Sequence, residues 1–203
     1  MQLTHEGKAP VIAPGTRIAP NAVLCGDVRV GANCSIGFGA VLSAESGPIV
    51  IGENCVVMEA AVIRGVARDP VTIGDNVLIG PQSYLTGCTI ATDAFIATRA
   101  TLFNGARIGR RAEVRINGVV HLRTVLPDDA VVPIGWIAVG DPAKILPPGA
   151  QERIWEIQKG LDFPGYVFGV PRPAPGESFM PEVMPRYARA LRRWHESDQP
   201  TPK

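Results

Sequence analysis

A six-residue beat runs through most of this chain and leaves it few ways to fold. From Ile12 an aliphatic residue recurs at Ile18, Leu24, Val30, Ile36 and Leu42, and again at Ile73, Ile79 and Leu85, with Ile90 one residue early. Each is followed by small or turn-favouring residues. Three six-residue faces close one triangular coil, and successive coils stack into a solenoid. One inward position per coil gives Ile18, Ile36, Val57, Ile79, Ile96, Val114 and Val132, with steps of 18, 21, 22, 17, 18 and 18. Eighteen is three hexads. The departures predict loops: insertions around 45–48 and 65–70, and a one-residue deletion near 87–89.

The same register predicts two further inward columns, both small. Four residues after the aliphatic positions stand Ala22, Ala40, Ala61, Ser83, Ala100 and Gly118; two residues before stand Thr16, Cys34, Cys55, Val77, Ala94 and Ala112. A triangular coil has no room for large side chains at its corners, so small residues at fixed phase are what packing requires. Stacked equivalents lie ~4.8 Å apart, the interstrand spacing of a sheet. Cys34 and Cys55 then stack as buried free thiols serving as small hydrophobes. Asn33, Asn54, Asp75–Asn76, Asn104–Gly105 and Asn117–Gly118 supply turn chemistry, because Asn, Asp and Gly tolerate a left-handed backbone.

Composition agrees with a narrow core. The 203 residues are 46% hydrophobic but only 6% aromatic, with 22 Gly and 19 Pro, a mix of small aliphatics and many turns. A net charge of +1 argues against a general nucleic-acid binder. No apolar run approaches the ~20 residues that span a bilayer. The opening MQLTHEGKAP lacks the apolar segment of a secretory signal. A cytoplasmic protein is expected, its four cysteines reduced and without a CxxC metal pair.

Four segments follow. Residues 1–10 show no pattern and read as a mobile leader; 11–148 form the solenoid, stopped by Pro147, Pro148 and Gly149. Residues 149–162 read as a helix packed along the solenoid, with Ile154, Ile157 and Leu161 at i, i+3 and i+7. Residues 163–203 read as an extended arm and a short terminal helix over 182–194, with Val183, Tyr187 and Leu191 on one face. Arg186, Arg189, Arg192 and Arg193 fall mostly on other faces, as on a solvated basic surface. The aromatic residues of the arm are expected to pack on the solenoid or on a neighbouring subunit.

The segments GDVRVGANCSIGFGAVL, GPIVIGENCVV, VTIGDNVLIG and GCTI, closing on GDPAKIL, resemble γ-class carbonic anhydrases and their relatives in the hexapeptide transferase superfamily, over roughly residues 11–160. The resemblance implies an all-β solenoid, a left-handed parallel β-helix of hexapeptide repeats with a C-terminal α-helical arm, against the usual right-handed crossover. It also implies a homotrimer with zinc held between adjacent subunits by three histidines. The corresponding positions here carry Arg64, Pro81 and Thr86. Arg is a fixed cation, Pro has no ligating side-chain atom, and a neutral hydroxyl is a poor zinc ligand. The family's RGD stretch is Ser43-Ala44-Glu45, and its Gln–Asp pair is Met58-Glu59. No metal, no stoichiometric zinc and no hydration of carbon dioxide are therefore expected.

Three functions stay open. Arg64, with Gln82, Tyr84 and Thr86 around it and Glu59 and Asp69 nearby, could bind a small anionic ligand at the subunit interface, since a guanidinium suits carboxylate or phosphate. Alternatively Arg64 pairs with Glu59 or Glu45 across that interface and seals it. A coenzyme A-dependent acyltransferase would need a general base. Of the three histidines, His5 lies in the leader and His195 in the tail, so His121 is the candidate. It belongs to an outward column Ser43, Arg64, Thr86, Phe103, His121, two coils and roughly 10 Å from Thr86. The third reading is a non-catalytic trimeric scaffold.

Overall fold

Most of the strands are only two or three residues long, and those inside the stack are held from above and below. The computed structural model describes residues 1–201, the side chain of His195 excepted. One flat face is a seven-stranded parallel sheet that begins at Arg17–Ile18 and ends at Val131–Val132. Its register stacks Ile18, Ile36, Val57, Ile79, Ile96, Val114 and Val132 in a single column. That is the column predicted by subtraction along the chain. The other two faces form one 15-stranded sheet, because Val23–Val30 and Val41–Ile51 run around a corner and pair on both. The result is a left-handed parallel β-helix of about eight turns.

The core is the stack of inward aliphatics, with Ala22, Ala40, Ala61 and Ala100 filling one corner at no measurable exposure. Corner turns recur with positive φ at Asn33, Asn54, Asn76 and Asn117, and also at Ala60, Gln82 and Arg99. All four cysteines are free. The thiols of Cys34 and Cys55 donate to the carbonyls of Gly52 and Gly74, one coil on. Burial pushes Cys55 up to about 11 and Cys88 to about 12. At the 87–89 deletion the chain turns on Gly87, where φ is 53° and a Cβ would lie 2.7 Å from that of Asp69. Only glycine fits so tight a corner.

Several boundaries differ from the sequence reading. The insertion at 45–48 is no loop: Val41–Ile51 passes through it as one strand. The insertion at 65–70 is a loop. In place of a patternless leader, Gln2–Thr4 is a strand, parallel to Leu24 and Cys25 and antiparallel to Gln199–Pro200. Its partners are remote in sequence, so its own residues carry no period that would announce it. The helix α1 (Gln151–Gln158) buries Ile154 against Val139 and Leu146. The last coil is covered by an antiparallel pair, Ile137–Val139 with Lys144–Leu146, which shields the sheet edge. The arm is not wholly extended: Pro164–Phe168 forms a helical turn, and α2 (Met180–Glu196) runs beyond both expected ends. Among the described residues no helix is long and apolar enough to cross a membrane.

Candidate functional site

Parallel stacking brings outward residues of equal phase into line. Cys25, Ser43, Arg64 and Thr86 pair in register on successive coils. Phe103 and His121 continue the line, their rings 5.8 Å apart. Arg64 is the centre of a polar cluster. Its Nη2 donates to Glu45 Oε2 at 2.6 Å and Oε1 at 2.7 Å, and its Nε reaches Oε1 at 3.2 Å. Nη1 donates to the Tyr84 hydroxyl at 3.2 Å and Nη2 to the Tyr187 hydroxyl at 3.3 Å. Burial alone would lower the Arg64 pKa; its bonds to Glu45, Tyr187 and Tyr84 outweigh that and raise it. The ion pair expected across a subunit interface is thus made within one chain.

Above this cluster the arm and α2 enclose a cavity of about 760 Å³. Glu45, Arg64, Tyr84 and Thr86 line the side formed by the β-helix, and Phe103, Phe163, Phe168, Val183 and Trp194 supply apolar wall. Three guanidinium groups border it, Arg64, Arg68 and Arg186, against two carboxylates, Glu45 and Asp69. Arg64 is neutralised by Glu45. Arg68 instead donates to the Tyr166 carbonyl at 3.1 Å and lies 4.9 Å from the centre of the Tyr166 ring. Arg186 donates to the Phe168 carbonyl. Asp69 accepts from the Tyr166 hydroxyl at 2.7 Å, and burial together with that carboxylate pushes the phenol up to about 12. The cavity therefore combines an apolar body with surplus positive charge.

Of the six residues expected to bind a ligand, four meet here: Arg64, Tyr84, Thr86 and Asp69. Gln82 and Glu59 do not. Both are exposed at a turn, where Gln82 accepts from Arg99 at 2.8 Å and its amide donates to the Glu59 carbonyl. The corner geometry explains the miss: the chain turns between Gln82 and Tyr84, so neighbours in sequence face different directions. Arg68, Arg186, Tyr166 and Trp194 were missed as cavity residues, because no repeat relates the arm to any one coil. The spacing of Val183 and Tyr187 marked the inward face of α2 without saying what it would cover.

His121 stands outside the lining of this cavity. Its Nδ1 is buried and has no hydrogen-bond partner among the described residues, and burial lowers its pKa. At the three positions where the resemblance places zinc ligands, the fit fails on donor chemistry. Arg64 presents a cation already held by a carboxylate, Thr86 a buried hydroxyl, and Pro81 a ring on the corner beside Gln82.

A family model described as "Bacterial transferase hexapeptide (six repeats)" matches residues 9–44, and one described as "Hexapeptide repeat of succinyl-transferase" matches residues 70–98. The chain is 29% identical over 158 residues to Gamma carbonic anhydrase 2, mitochondrial, of Arabidopsis thaliana, covering 75% of this chain and 55% of that protein. It is 33% identical over 109 residues to the Carnitine operon protein CaiE of Escherichia coli, covering 54% of this chain and 56% of that protein. The chain thus spans little more than half the length of these curated relatives. A crystal structure from Bacillus cereus, provisionally described as an acetyltransferase, superposes with a TM-score of 0.55 at 27% identity, over 78% of this chain and 90% of that one.

Proposed function

Since this chain belongs to the γ-carbonic anhydrase-like hexapeptide-repeat family of the transferase superfamily, we propose that it keeps that fold and binds a small carboxylate with an apolar body in the cavity above Arg64 and Thr86. The observation that carries the reading is the cavity: aromatic and aliphatic walls, with three guanidinium groups against two carboxylates. Arg64 orders the floor through Glu45, and the anion meets Arg68 and Arg186, whose charges no carboxylate bonds among the described residues. A guanidinium is well matched to a carboxylate, and the low dielectric of aromatic walls strengthens the contact. The hydration of carbon dioxide is absent on this reading, for want of a zinc ligand at Arg64, Pro81 or Thr86.

Calorimetric titration with benzoate and hexanoate, beside benzamide and hexanol, tests it. The carboxylates should bind at least tenfold more tightly, with Arg186→Ala and Arg68→Ala each removing most of the difference. Equal binding of the neutral analogues, or no binding at millimolar concentration, overturns the proposal. Carbon dioxide hydration above the buffer rate would separately overturn the loss of zinc chemistry.

We also assign a homotrimer. The corner carrying Pro81 stacks Phe38, Glu59, Pro81, Thr98, Ile116 and Ile134. Phe38, Ile116 and Ile134 are 54%, 44% and 62% exposed, an apolar edge suited to cover by a neighbouring subunit. The cytoplasm is the compartment that four free thiols favour. A second reading, acyl transfer from coenzyme A, is favoured by one observation, the buried His121 Nδ1, which has no partner among the described residues. Acetyl-coenzyme A failing to bind at millimolar concentration would remove it.

A further inference from the structure

One turn beyond the cavity-lining Trp194, three parts of the chain meet at one point. His5 follows the N-terminal strand Gln2–Thr4, Cys25 lies in Val23–Val30, and Asp198 stands just beyond the end of α2. We infer that His5, Cys25 and Asp198 form a binding site for a divalent ion of the zinc type, one that ties the C-terminal segment to the first coil.

The donor set is the first argument. His5 Nδ1, Cys25 Sγ and an Asp198 carboxylate oxygen all lie within 4.8 Å of one another. Nδ1 is 2.7 Å and Sγ 3.6 Å from Asp198 Oδ1. In a tetrahedral site with bonds near 2.0–2.3 Å, ligand atoms stand roughly 3.3–3.7 Å apart. The sulfur already has that separation, and the imidazole contact must open slightly to admit the ion. Thiolate, imidazole and carboxylate together select zinc over magnesium or calcium, which favour all-oxygen sites.

The orientation of His5 is the second argument, independent of the first. Its Nε2 lies 3.1 Å from the carbonyl oxygen of Glu45, an acceptor only, so Nε2 carries the proton. Nδ1 lies against the Asp198 carboxylate, an acceptor, so the proton they share must leave before the Nδ1 lone pair can take an ion. A ligating histidine that donates its other nitrogen to a main-chain carbonyl is the usual supporting arrangement of metal sites. His5 is 5% exposed, which fixes the ring; Ser197 Oγ lies 3.1 Å from Nδ1 and closes one side. Three protein ligands leave a fourth position for water.

Loading is proton-coupled. The Cys25 S–H bond breaks and its sulfur keeps the electron pair; the proton shared by His5 Nδ1 and Asp198 also leaves, and both protons go to solvent as the ion bonds the freed lone pairs. None of its three ligands lines the cavity, although His5 donates to the main-chain carbonyl of Glu45, so either proposal can fail alone.

The test uses tag-free, full-length protein, titrated with zinc chloride and, for spectroscopy, cobalt(II) chloride. Against the sequence expectation of no stoichiometric zinc, the expected result is one zinc per chain, proton release upon binding, and a sulfur-to-cobalt charge-transfer band in the near ultraviolet. Cys25→Ser should abolish the band, and Cys25→Ser, His5→Ala and Asp198→Asn should each weaken zinc binding at least tenfold. Circular dichroism of each variant must match the parent, and for any variant that misfolds, the cobalt band of the parent protein decides. Absence of that band, zinc binding unchanged in folded Cys25→Ser, or binding removed by His195→Ala but not by Cys25→Ser, overturns the inference.

Discussion

His121 carries a buried ring nitrogen with no hydrogen-bond partner among the described residues. Desolvation lowers its pKa below the ordinary ~6.5. As pH falls through ~6.5 the unfolded chain takes up the proton first, so folding stability present above that value is lost toward the lower folded pKa. We expect the melting temperature to fall between pH 7 and pH 5, and to fall less in His121→Phe, which keeps the contact with Phe103. Parallel melting curves for the two proteins would remove His121 as the cause. At this scale the sequence was informative about phase and silent about partners. It put Arg64, Thr86 and His121 in one column, as the register does. It did not show that Glu45 would reach Arg64 in the same chain, because that contact crosses an insertion where the hexads lose step.

Between residue and molecule stands α2, the element that turns an open face into a cavity. Its hold on the β-helix rests on few buried groups, Val183 foremost, with Tyr187 bonded to Arg64 and packed edge-on to Phe168. Val183→Ala should cost about 1–3 kcal/mol of local docking energy, by the usual penalty for deleting buried methyl groups. Amide exchange should then quicken along Met180–Glu196 while the strands of the β-helix exchange as before. Uniform quickening throughout the chain would mean that α2 is part of one cooperative unit with the core. The helix itself was legible from the spacing of Val183, Tyr187 and Leu191. Its docking was not, since a single apolar stripe specifies a buried face and leaves the surface it meets unstated.

For the whole molecule, the solenoid makes stability a sum of neighbouring coils, and the ends are the exposed places. At one end Gln2–Thr4 joins the first coils to the tail; at the other, Lys144–Leu146 and α1 cover the last. Chains of 21.6 kDa with an apolar corner should sediment as a species of ~65 kDa, three per particle. Ile134→Glu should shift that species toward the single chain, and a parent protein that already sediments at the single-chain mass would refute the assembly. The architecture was legible because its period is short, and each coil repeats the evidence of the last. Both the cavity and the meeting of His5, Cys25 and Asp198 depend on segments outside the repeat, each occurring once.

The uneven steps between coils have a consequence for how such a molecule can change. Steps of 21, 22 and 17 residues leave Ile36, Val57, Ile79 and Ile96 stacked as though each were 18. The surplus is taken up at corners, and the corner loop at 65–70 is what brings Arg68 and Asp69 to the cavity. One residue added within a strand would turn its inward side chains outward. Added at a corner, it lengthens a spur and leaves the stack as it was. New binding chemistry can therefore arise here by growth at the corners, with the scaffold neither unfolded nor redesigned to receive it.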